Sequence, residues 1–144
     1  MNSDEIDTAS RITPAVRKKY QNLNLPKDTC YIIFIDKTLT LEGRYAALTH
    51  ELGHIFCSHL GIDRHAWWPD RGDLNVRGEK IEADSVAYLV CQRTGLRTDS
   101  EQFLPQASET HQEIPPFSMN AVTQAVSYIE GMGRHRWKAP KKRR

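Results

Sequence analysis

Cysteine is scarce in this chain: three residues in 144, at positions 30, 57 and 91, none in C-x-x-C spacing. An odd, scattered set of thiols does not make a disulfide framework, and a reducing cytoplasm is the expected compartment. Long hydrophobic runs are missing as well. Nothing approaches the roughly 20 apolar residues of a membrane span, so no membrane partner is expected. The opening Met1-Asn2-Ser3-Asp4-Glu5 is acidic and lacks the charged-then-apolar pattern of a secretory signal. There are no internal repeats. What remains, 39% hydrophobic and 26% charged, suits one globular domain with a real core and leaves no comfortable room for a second.

Charge is unevenly spread. Of the 20 Lys and Arg, seven lie in residues 134–144 with no acid among them, leaving 13 against 18 acidic side chains elsewhere, a formal −5. A nucleic-acid surface on the body is not indicated. Phosphate contact through the basic tail is the less favoured reading; a solubilising end is preferred. The expected organisation is a disordered 1–13, a single domain over 14–133, and the basic tail over 134–144.

The pattern predicts four helices and one strong strand. Pro14 opens a short helix through Tyr20. Cys30 to Ile35 is β-branched and aromatic, hence a strand. A helix through Tyr45, Leu48, Leu52, Ile55 and Phe56 starts at Thr38 or Thr40 and stops at Gly61. Another runs from Glu79 to Thr94 with Gly95 as its stop. A last one is capped by Ser118, striped by Met119, Val122, Ala125, Val126, Ile129 and Met132, and ended by Gly131 and Gly133. The fold class expected is α+β, a few helices around a short sheet. Between the two middle helices lies a long loop holding Trp67 and Trp68. Adjacent tryptophans chiefly anchor a loop to the body, and the alternative is an apolar wall beside a site.

The chemistry sits in His50-Glu51-Leu52-Gly53-His54. On a helix, residues four apart share a face with Cβ atoms about 5–6 Å apart, close enough for two imidazoles to reach one zinc at about 2.0–2.1 Å. Glu51 lies about 100° round the helix, poorly placed as a ligand and well placed to move a proton. A catalytic zinc usually takes three protein ligands. Cys57 falls about 7.5 Å along the axis beyond the midpoint of the pair, and His59 points away from that face. His65 and Asp73 in the long loop stay open, as does Glu79. Glu82 is the preferred third ligand, because a carboxylate on the apolar stripe of Val86 and Leu89 needs a cation or a dense hydrogen-bond network. Asp84 is then a candidate to orient a histidine N–H from behind.

His50-Glu51-Leu52-Gly53-His54, followed 28 positions after His54 by Glu82-Ala83-Asp84-Ser85-Val86-Ala87, resembles the ImmA/IrrE-type zinc metallopeptidases. The resemblance is strong from about Cys30 to Gly95 and looser over the last helix. Trp67-Trp68-Pro69-Asp70-Arg71 is similar to a loop also found in relatives of the ArdC antirestriction proteins. The resemblance implies one zinc on His50, His54 and Glu82, with Glu51 as general base. It also implies a protein substrate, often a helix-turn-helix DNA-binding repressor. Many members carry a DNA-binding domain beside the peptidase, for which this chain has no room. No transition-state stabiliser stands out; Tyr88, His111 and His135 qualify only by residue type.

The function expected is zinc-dependent hydrolysis of a specific protein substrate. Tyr31 and Ile33, on the strand, are candidates to dock an extended peptide, with Trp67 and Trp68 beside them. The rival is a zinc-bound or antirestriction-type module that sequesters a partner without cleaving it. An intact Glu51 speaks against that rival, since a structural site has no use for a base.

Overall fold

Local chemistry accounts for each element of the fold. A computed structural model describes residues 8–61, 71, 74–96 and 116–134. In order, these form strand β1 (Thr8–Arg11), helix α1 (Pro14–Lys19), a 3₁₀ turn (Gln21–Leu23), strand β2 (Tyr31–Phe34), and helices α2 (Leu41–Phe56), α3 (Val76–Thr94) and α4 (Met119–Arg134). This is a small α+β arrangement. Thr13 caps α1 through its hydroxyl, with Pro14 in the first turn as anticipated. Thr40 caps α2 by accepting from Gly43 N–H. Thr38 is used instead in a turn, where its N–H and hydroxyl both bond Asp36 Oδ1 at 2.8 Å.

Three boundaries differ from the sequence reading. Residues 1–13 were expected to be disordered, yet Thr8–Arg11 forms a strand antiparallel to β2, with Ala9 opposite Ile33 and Arg11 opposite Tyr31. Polar residues alternate there around a single buried alanine, too short a pattern to register as a strand. Helix α3 begins a turn before Glu79, because the Asn75 side chain accepts from the N–H groups of Arg77 and Gly78. Helix α4 runs through Gly131 and Gly133 to Arg134. Neither glycine has a positive φ, and a glycine with helical dihedrals costs about 1 kcal/mol without ending a helix.

Helices α2, α3 and α4 pack mutually, and β1 lies against α2. Their shared core holds Ile55, Phe56, Cys57, Val86, Val90, Val122, Ala125, Val126 and Ile129, with Ala9 from the sheet. Fully burying each valine or isoleucine contributes roughly 1.5–3 kcal/mol, enough to dock α4 through its single stripe. Leu48, counted with the buried face of α2 on the sequence, is 38% exposed. No described helix is long and apolar enough to cross a membrane.

Helices α2 and α3 come into close contact at Gly53. A Cβ there would meet Val86 Cβ at 3.1 Å and Ala83 Cα at 3.3 Å. Glycine at this place in the H-E-x-x-H stretch lets the two helices touch along the face that bears the histidines. Gly53→Ala should therefore lose about 1–3 kcal/mol of stability to overpacking, exceeding the helix-propensity gain of about 1 kcal/mol. Denaturant unfolding measures the net change; a more stable variant would show that α3 yields freely.

Candidate metal centre

Helix α2 does not continue to Gly61. It ends at Phe56, and Ser58 takes the left-handed conformation at φ 65°. Ser58 N–H then bonds Ile55 C=O at 3.0 Å and His59 N–H bonds His54 C=O at 2.9 Å, the paired bonds of a Schellman turn. The turn folds His59 back over the last helical turn. His59 would point away only on a helix that continues, and here the helix has already stopped. A serine is an uncommon occupant of this conformation, so nothing in the composition marked the turn.

Three imidazoles consequently stand in a row. His50 Nε2 lies 3.1 Å from His54 Nε2, His54 Nδ1 lies 2.7 Å from His59 Nδ1, and His59 Nε2 lies 3.0 Å from Glu82 Oε1. At the other end, His50 Nδ1 lies 3.0 Å from Asp84 Oδ1, close but off the line of a good hydrogen bond, so that this buried oxygen lacks a well-directed donor. Asp84 is thus beside His50, as anticipated for an orienting carboxylate. Its second oxygen accepts from Lys80 Nζ at 2.9 Å.

Glu82 is fully buried, and its partners come from several segments. Arg71 grips it with both terminal nitrogens, one on each carboxylate oxygen, while also donating to Cys57 C=O at 3.1 Å. Ser118 N–H, at the head of α4, donates to Oε2 at 2.9 Å. The structure therefore places Glu82 one imidazole away from the pair it was expected to join. Among the described residues, no His, Cys, Asp or Glu completes a group of three with His50 and His54 whose ligand atoms all lie within 4.8 Å. The need of a buried carboxylate for a cation was read correctly from the sequence; the cation that meets it here is Arg71.

A different group, Cys57, His59 and Glu82, does bring its ligand atoms within 4.8 Å and could hold a metal ion. Its chemistry is the weaker fit. Both oxygens of Glu82 already carry donors. Burial, reinforced by the nearby Glu82, pushes the Cys57 thiol up to about 12, whereas a metal needs the thiolate.

The His50–His54 gap fits a metal better, on two counts. Two nitrogens bound tetrahedrally to zinc at about 2.0–2.1 Å would stand about 3.3 Å apart, near the 3.1 Å observed. The protons agree. Without a cation, the protons of three neutral imidazoles are all used by the His50–His54, His54–His59 and His59–Glu82 contacts, which turns the lone pair of His50 Nδ1 toward Asp84. A cation between the two Nε2 atoms would leave the His50 proton on Nδ1, on the Asp84 side. Each ligating histidine would then keep an Nδ1 partner, Asp84 for His50 and His59 for His54.

The other sequence candidates divide. Glu51 is buried, at 7% exposure, on the turn of α2 that carries His50. Tyr31 spends its hydroxyl on Gly61 C=O at 3.1 Å, and Ile33 packs on the core, so both brace the fold. The second edge of β2 has no strand partner among the described residues. Glu79 lies in the first turn of α3. His65, Trp67, Trp68, Asp73, His111, His135 and the tail over residues 135–144 fall outside the described residues.

The two inner imidazoles, His54 and His59, are neutral by preference. Burial, helped by neighbouring His50 and His59, holds His54 down to about 3, and burial also lowers His59 despite the attraction of Glu82. Burial alone would raise Glu82, but Arg71, the Ser118 N–H and His59 together outweigh it and lower its pKa. An unfolded histidine binds its proton near pH 6.5, whereas folded His54 resists protonation down to about 3. The unfolded chain therefore binds more protons across that window, and stability falls as pH falls, by up to about 1.4 kcal/mol per pH unit. Unfolding of the metal-free chain from pH 7 to 4 should show this decline, and His54→Gln should flatten it.

Comparison of the chain with protein-family models, curated proteins and solved structures gives no match.

Proposed function

We propose that the protein is a zinc-dependent peptidase acting on a specific protein, with His50 and His54 as metal ligands and Glu51 as the proton carrier. The observation that carries this reading is the facing pair of Nε2 atoms, 3.1 Å apart, on the helix of the H-E-x-x-H stretch. The stretch resembles that of the ImmA/IrrE-type peptidases, whose zincin-like fold is the finer reading of this α+β domain. A DNA-binding repressor is the substrate class that this resemblance suggests.

When bound, zinc supplies Lewis acidity that makes a water molecule acidic near neutral pH. The chain's own residues do the rest. Asp84 and His59 hold the Nδ1 sides of His50 and His54, leaving both Nε2 lone pairs free to bind. Glu51 takes the proton released as water attacks the scissile carbonyl and returns it to the departing nitrogen, so that the C–N bond breaks to a carboxylate and an amine. Glu82 is assigned to the support of this arrangement, through His59, because its oxygens are already taken by Arg71 and Ser118.

Metal analysis should find about one zinc per chain, lost in His50→Ala and His54→Ala. Glu51→Gln should fold, keep its zinc and still bind its protein partner, while cleavage of that partner falls by about 10²–10⁴-fold, the usual worth of a general base. A Glu51→Gln chain that reproduces the full biological effect would show that the protein works by sequestering its partner.

A further inference from the structure

The side chains behind His54 have no part in the proton transfers just described, yet they are more deeply buried than His50 at the outer end of the row. His59 is 2% exposed at its side chain and Glu82 is fully buried, against 26% for the side chain of His50. His59 has two separate tasks in this position. Its Nδ1 faces His54 Nδ1 at 2.7 Å, and its Nε2 faces Glu82 Oε1 at 3.0 Å. Ionised Glu82 accepts only, so the proton on His59 belongs on Nε2. His59 Nδ1 is then an acceptor, which places the proton of His54 on its own Nδ1 and the lone pair on Nε2, toward His50. Arg71 and Ser118 N–H complete the sequence by keeping Glu82 ionised and fixed.

We propose that His59 is a positioning residue for the metal centre. It transmits the orientation of Glu82 to His54 and selects the tautomer in which His54 can ligate. The proposal rests on His50 and His54 holding zinc. A carboxylate placed directly behind a ligand does this task for His50, where Asp84 stands at 3.0 Å. On the His54 side the nearest carboxylate is one ring too far, and the Schellman turn at Ser58 inserts an imidazole to span the difference. This also gives Glu82 a use at the centre that does not require it to touch the metal.

Two substitutions separate the tasks. In His59→Asn, the side-chain oxygen can stand where Nδ1 stood and accept from His54, while the donor to Glu82 is lost. In His59→Gln, the terminal amide reaches the place of Nε2 and serves Glu82, while the acceptor for His54 is lost. Zinc affinity, measured by competition with a chromophoric chelator, should fall by about 10–100-fold in His59→Gln, the usual cost of losing such a partner. It should fall much less in His59→Asn. Melting temperature in the metal-free state should rank them the other way, with His59→Gln the more stable. Equal zinc affinities in the two variants, or affinities matching the parent chain, would overturn the positioning role while leaving the zinc site standing. Failure of the parent chain itself to bind zinc would overturn both the site and the role built on it.

Discussion

A single buried carboxylate governs much of the architecture. Glu82 sits at zero exposure in the middle of α3, and an ion there is tolerated only if nearly every lone pair is met. Its partners arrive from three places in the chain: Arg71 ahead of α3, His59 just past α2, and Ser118 at the head of α4. The helices could pack by their apolar stripes at several relative heights. The carboxylate selects one of them, because Ser118 N–H and the guanidinium must both reach it. Breaking such a buried pair typically costs about 3–5 kcal/mol, more than most single apolar contacts in a core of this size.

The candidate centre inherits that precision. Bidentate contact with Arg71 fixes the plane of the Glu82 carboxylate, and the plane fixes the His59 ring. From there the row runs through His54 to His50, whose side chain is the more exposed end, 26% against 2% for His59. A buried inner end and a partly open outer end would suit the proposed site, which holds an ion firmly and still admits a substrate. The same burial keeps His54 uncharged across the physiological range, and a neutral imidazole is the form that binds metal.

The parts of this arrangement that could be read in the sequence were those with a local signature. The i, i+4 histidines follow from helical spacing, and the demand of Glu82 for a partner follows from its place on an apolar stripe. Asp84 beside His50 was within reach of the same reasoning. The identity of Glu82's partner was not. Arg71 is eleven residues away in a stretch without periodicity, and only the packed structure brings it inward. His59 was lost for a subtler reason. Helix-stop rules weight glycine, so Gly61 was taken as the end while Ser58 turned the chain three residues earlier. Strand β1 was missed because four residues with one buried side chain carry almost no pattern.

The two ends of the stretch between α2 and α3 are fastened independently of what lies between them. Gly61 is tied through its carbonyl to the Tyr31 hydroxyl, and Arg71 is tied to Glu82. Closing a chain between fixed points costs little more as the chain lengthens, about 0.6 kcal/mol for each doubling. The two anchors therefore hold the ends of this segment at a cost that depends little on its length. Exchanges within residues 62–70 that spare Gly61 and Arg71 leave Tyr31 and Glu82 their partners.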